Sequence, residues 1–203
     1  MIAPTNFTEE LNLFLYVSGE VQKQFNIAKK AIYPDESYSL PDDWWSVWRC
    51  EHLLSDPSGE QHAVLFTNAS TFLTFICHGF SDDFDALVCE FEAAFLGSLK
   101  AQGLILPEHV STHTRLIRGN PRQLVGTMNQ LADYAIDLAC SPEDGPMPPA
   151  EVEKYLLNYC CMSLKEKFPY KAYYNKLRTH PPFGGEFDDG DGVVVPFPEV
   201  PEK

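Results

Sequence analysis

One continuous block, Trp48 to Ala139, most constrains what this chain can fold into. Val47, Arg49, Glu51 and Leu53 alternate with Trp48, Cys50, His52 and Leu54, the period-2 pattern of a strand, and this turns Trp48 and Cys50 inward. Asp56-Pro57-Ser58-Gly59 then marks a turn. A second strand is predicted over His62 to Thr67 and a third over Thr71 to Cys77, with Asn68-Ala69 as a tight turn, since Asn tolerates positive φ. Three consecutive strands predict an antiparallel meander.

Helical spacing follows. Ser81-Asp82-Asp83 predicts an N-cap with acids in the first turn, where the helix dipole favours them. Phe84, Leu87, Val88, Phe91, Phe95 and Leu99 form one apolar face, and Gly103-Leu104 predicts the C-cap. Thr112 to Arg118 is expected as a short strand. Asn120 and Pro121 then suit the N-cap and N1 positions of a helix whose buried stripe is Leu124, Met128, Leu131, Ala135 and Leu138.

The flanks read differently. Phe7, Leu11, Phe14, Ser18, Val21, Phe25, Ala28 and Ile32 recur at alternating steps of four and three, a heptad seam that predicts a helical arm within residues 1–43. Ser18-Gly19 weakens its centre. Such an arm either packs on its own domain or offers Phe7, Leu11, Phe14, Val21 and Phe25 to a partner or to a second copy in a homodimer. The core domain spans 44–140. Beyond a Pro/Gly-rich linker, residues 141–182 form a helical extension, with the stripe Val152, Tyr155 or Leu156, Tyr159 and Leu164 interrupted at Pro169. Residues 183–203 form an acidic Pro/Gly-rich tail in which Val193 to Val195 could add a strand to an open edge. The expected fold class is α+β: a small, mainly antiparallel sheet covered by helices on one face.

Charge narrows the function classes. The net charge is −14, with an excess of acids everywhere except residues 151–182, which hold six bases against three acids. That field repels nucleic-acid phosphates over most of the surface and favours a protein partner with a basic surface. No apolar run approaches the roughly 20 residues that span a bilayer, and the N-terminus lacks the pattern of a signal peptide. Cys50, Cys77, Cys89, Cys140, Cys160 and Cys161 share no ladder of spacings and read as reduced thiols, so a cytoplasmic location is expected.

Chemistry-bearing motifs are sparse. Of the six His only His109 and His113 have the i,i+4 spacing of a helical zinc motif, and they flank an expected loop-to-strand change, so no metal or cofactor is expected. There is no Gly-x-Ser-x-Gly elbow or phosphate-binding loop. Arg115, Arg118 and Arg122 lie close in sequence around a predicted helix start and form a candidate spot for a small anion, the basis of an enzyme alternative. Lys165 to Arg178 mixes bases with aromatics, as single-strand nucleic-acid platforms do, and supplies a third reading.

Trp48, Phe66, Asn68, Thr71, Phe91, Leu99, Arg122, Gly126, Met128 and Asn129 follow, in order and spacing, the pattern of a bacterial family of small domains of unknown function. The chain resembles that family over about residues 45–139. The resemblance implies a fold and a bacterial or phage setting, and no activity. It directs attention to Asn68 and Asn129, either as ties between helix and strand or as ligand-binding groups. The leading expectation is a non-enzymatic, acidic interaction protein, such as a neutralising or inhibitory component of a toxin, defence or counter-defence system.

Overall fold

A computed structural model describes residues 9–34, 42–119, 122–140 and 147–188. Its centre is a mixed sheet whose strands are β1 (Glu9–Val17), β2 (Tyr33–Pro34), β3 (Val47–Ser55), β4 (Gln61–Asn68), β5 (Thr74–Phe80) and β6 (Val110–Arg118). Their spatial order is β2-β6-β1-β3-β4-β5. The helices are α1 (Gly19–Gln24), α2 (Phe84–Ala101), α3 (Arg122–Ala139), α4 (Pro149–Leu157) and α5 (Pro169–Thr179). The class is α+β.

The expected helical arm is corrected. Residues 9–17 form β1, in the middle of the sheet, parallel to both β6 and β3. A helix would bury only the heptad seam and leave Leu13, Leu15 and Val17 outside it. A strand buried on both faces covers them all, with Leu11, Leu13, Leu15 and Val17 on one face and Phe14 and Tyr16 on the other. Leu11, Phe14, Val21 and Phe25 are all buried and belong to the protein's own core, whereas Phe7 lies outside the described residues. The weak point at Ser18 is where strand becomes helix: Ser18 caps α1, its Oγ accepting the Val21 N–H at 3.3 Å.

The sheet is also not mainly antiparallel. The meander β3-β4-β5 is antiparallel as its turn signals predict, whereas β1, β2, β3 and β6 pair parallel. Parallel partners come from distant sequence, which local turn chemistry does not encode.

Helices cover both faces, not one. On the first face Phe91 of α2 stacks on Phe66 at 4.5 Å between ring centroids and meets Trp48 edge-on at 4.8 Å. Phe95 joins them, and Tyr173 and Leu177 of α5 extend this core. On the second face Met128 and Leu131 of α3 and Val152 and Leu156 of α4 pack over Leu53 and Leu65. Fully burying each such aliphatic or aromatic side chain contributes roughly 1.5–3 kcal/mol. Trp48 and Cys50 point inward, as their alternation requires.

Boundaries moved where a side chain found other work. The N-cap of α2 is Asp83, whose carboxylate accepts the Ala86 N–H at 2.9 Å, rather than Ser81. The β4–β5 connection is longer than a two-residue turn, with the Asn68 side chain accepting the Ser70 and Thr71 N–H groups inside it. Gly103 sits at φ +79 and ends α2 as expected, with Leu104 buried beyond it. Pro169 opens α5 rather than interrupting a longer helix. Asn120, Pro121, most of the linker and residues 189–203, with Val193 to Val195, lie outside the described residues.

β5 is an edge strand, and two of its outward N–H groups are closed by carboxylates, one from each face. Ile76 N–H donates to Glu153 of α4 at 2.7 Å and His78 N–H to Glu90 of α2 at 3.1 Å. Occupying edge donors in this way disfavours pairing with another chain.

Candidate functional site

Polar side chains gather where β1 and β6 end and β3 runs on past them. β1 is in register with β3 only as far as Val17 opposite Cys50, so Glu51 to Ser55 extend beyond it and meet α1. A groove of about 440 Å³ opens there, lined by Tyr16, Ser18, Glu20, Arg49, Glu51 and Arg118 among others. Arg49 is buried on the α3 side of the sheet and forks onto the Glu51 carboxylate through Nε, at 3.0 Å, and Nη2. Glu20 and Glu51 also line a second groove of about 340 Å³, with His52, Asn129 and Asp133 on its walls and Leu53, Ala132 and Ile136 supplying apolar surface.

From the rim a chain of hydrogen bonds runs inward. Glu20 Oε1 lies 3.5 Å from His52 Nδ1. His52 Nε2 is 3.1 Å from Ser55 Oγ, and Ser55 Oγ is 2.9 Å from His62 Nδ1. His62 Nε2 is 2.8 Å from Ser81 Oγ, which lies 3.2 Å from the carbonyl oxygens of Gly59 and Glu60. Five side chains from α1, β3, β4 and the turn before α2 thus form one line. Burial pushes the His52 imidazole below its ordinary value, and the Glu20 carboxylate pulls it partly back. His62 is buried, with its ring edge-on to Phe25 at 5.2 Å.

The residues singled out from sequence do not converge. Asn68 is fully buried: Nδ2 donates to Trp44 O at 2.9 Å and Val47 O at 3.3 Å, and Oδ1 accepts from the Ser70 and Thr71 N–H groups and the Thr71 hydroxyl, each at 3.0 Å. Every polar atom of its side chain is satisfied inside the fold, so Asn68 ties β4 to the segment before β3. Asn129 is exposed on the second groove. Arg118 lines the first groove, whereas Arg115 lines a separate one with Phe14, Asp43 and Trp45 and lies over the Phe14 ring at 5.9 Å. Three residues apart on one strand, the two point to opposite faces. The Arg122 side chain lies outside the described residues.

The basic-aromatic segment uses its rings internally. Tyr173 is buried against Trp44 and hydrogen-bonded to Ser98, Lys171 lies over Phe168 and Tyr170, and Arg178 lies over Tyr174 and Phe187. Among the described residues no three His, Cys, Asp or Glu converge as a metal site, and no helix is long and apolar enough to cross a membrane.

None of Glu20, Arg49, Glu51, His52, Ser55, His62 and Ser81 is among the candidate site residues of the sequence. One signal for the inner part was present: the Asp56–Gly59 turn places Ser55 directly opposite His62. The approach of α1 and of Ser81 is a tertiary matter with no local signature.

No family model, curated protein or solved structure matches the chain.

Proposed function

We propose that this protein is an acidic interaction protein that engages a partner with a basic surface, in the manner of a neutralising or inhibitory component. One observation carries the reading: the outward faces of the long helices are acidic on both sides of the sheet. Asp82, Asp83, Asp85 and Glu90 stand exposed at and along α2, and Asp133 and Asp137 along α3. α2 holds one base, Lys100, and residues 125–139 of α3 hold none. Carboxylates arranged in this way attract a basic surface over about a Debye length, roughly 8 Å at physiological salt.

The test is binding of the full chain to a panel of basic proteins at low, physiological and high salt. Affinity that falls steeply with salt, and falls again when Asp82, Asp83, Asp85 and Glu90 are changed to the corresponding amides, supports the reading. Binding weaker than about 10 µM throughout, or indifferent to salt, overturns it. The enzyme alternative rests on Arg115, Arg118 and Arg122, of which Arg118 lines the first groove and Arg115 a separate one. The single-strand nucleic-acid alternative keeps exposed bases of residues 165–178, with their rings already engaged.

A further inference from the structure

The line Glu20, His52, Ser55, His62 and Ser81 has two complete proton arrangements, which differ by one proton. Hydrogen positions follow from donor and acceptor identities. With His52 neutral, the Glu20 carboxylate holds the proton on His52 Nδ1, so Nε2 is an acceptor. Ser55 O–H then donates to His52 Nε2, and the Ser55 oxygen accepts from His62 Nδ1–H. His62 Nε2, left as an acceptor, takes the Ser81 hydroxyl proton. With His52 protonated, the Glu20 contact is unchanged and every bond from His52 Nε2 to Ser81 reverses. His52 Nε2–H donates to Ser55, Ser55 O–H donates to His62 Nδ1, and His62 Nε2–H donates to Ser81. The Ser81 O–H turns to the carbonyls of Gly59 or Glu60, both at 3.2 Å. In each arrangement every donor has an acceptor.

We propose that this line is a tautomeric relay, in which uptake of one proton at His52 moves the His62 proton from Nδ1 to Nε2 and reverses the Ser81 hydroxyl, coupling α1 to the turn that leads into α2. The protons balance by handing on. A proton from solvent reaches the half-buried Ser81 oxygen, whose own proton passes to His62 Nε2. The His62 Nδ1 proton passes to Ser55, and the Ser55 proton passes to His52 Nε2. One proton enters, His52 gains it, and no covalent bond other than O–H and N–H changes. His62 is shut from solvent, so it exchanges protons through the two serines that flank it.

The groups that face His52 set where the relay acts. They are Glu20 from α1, Glu51 beside it on β3, His62 from β4, and Asn129 and Asp133 from α3 across the second groove. Burial opposes the charged imidazole most strongly, and the carboxylates favour it, so the transition falls on the acid side of the ordinary imidazole value.

Nitrogen-15 long-range correlation spectra of the uniformly labelled full chain, recorded across pH, read the tautomer of each histidine ring. The expected result is that His62 passes from the Nδ1–H to the Nε2–H pattern at the same midpoint as His52 gains its proton. Ser55→Thr, which keeps a hydroxyl, retains the shared midpoint, and Ser55→Ala leaves His62 in one tautomer while His52 titrates. A His62 that holds one tautomer through the His52 transition in the wild-type protein overturns the proposal, as does a His62 that follows His52 equally in Ser55→Ala. If Ser55→Ala does not fold, the wild-type and Ser55→Thr spectra decide.

Discussion

Glu153 accepts the Ile76 N–H at 2.7 Å, so an acid on α4 closes the backbone of an edge strand that its own sheet leaves open. The carboxyl is mostly withdrawn from water. Burial raises its pKa above 4.5, the Ile76 N–H opposes that rise, and the nearby Glu90 charge adds to it. The contact therefore closes the edge at a cost in desolvation.

That cost has a sign. A carboxyl whose folded pKa is raised binds its proton more tightly when folded, so its contribution is most favourable below the unfolded value and declines as pH rises through the raised one. Glu153→Gln keeps an oxygen for Ile76 and removes the charge. Urea midpoints from pH 4 to 7 are expected to fall less steeply with pH in Glu153→Gln than in wild type. Glu153→Ala loses the acceptor and is expected to cost about 1–3 kcal/mol near pH 4, where the acid form of wild type keeps the bond without the charge.

Asn68 is the opposite case, a buried amide with all its partners inside. Asn68→Ala strands the Ser70 and Thr71 N–H groups and removes the donor to Trp44 O. A loss of about 3 kcal/mol is expected in chemical unfolding. Asn68→Asp keeps the acceptor oxygen but puts a charge there and loses the donor, so it is expected to be at least as damaging as a neutral deletion.

Phe91 touches Trp48, Phe66 and Phe75 at the centre of the first core. Phe91→Ala is expected to cost about 3–5 kcal/mol, against less than about 0.5 kcal/mol for Phe80→Ser, since Phe80 is 54% exposed. Parallel denaturation curves with equal slopes would check both.

The thiols divide by burial. Cys89, Cys140 and Cys160 are exposed, while Cys50, Cys77 and Cys161 are buried, with burial pushing the Cys161 thiol up to about 11. A disulfide-exchange reagent at pH 8 is expected to titrate three thiols quickly in the folded protein and the other three only at the rate of unfolding.

Much of the middle of the chain was legible because its signals are local. The Asp56–Gly59 turn, the apolar face of α2 and the Gly103 cap each depend on residues a few positions apart, and the structure has all three. The N-terminal segment is ambiguous in the sequence for a physical reason. Strands buried on both faces carry continuous apolar sequence, and a continuous run satisfies a heptad as readily as an alternation. Leu11 and Phe14 fit the seam, but Leu13, Leu15 and Val17 needed a partner strand on each side to explain them. Of the site, Arg118 and Asn129 are candidates on the sequence alone, whereas His52, Ser55 and His62 are each ordinary until the β3–β4 register and α1 bring the others to them.

By itself, then, the amino-acid sequence determined the acidic character, the meander and the two long amphipathic helices, since charge, turn chemistry and periodicity are properties of neighbouring residues. Only the tertiary structure decided that β1 lies at the centre of a mixed sheet, that helices cover both faces, and that Glu20 and Ser81 close the two ends of a histidine–serine line. Those features join residues far apart in the chain, where the free energy comes from burying both sides of the sheet together and no single segment carries its signature.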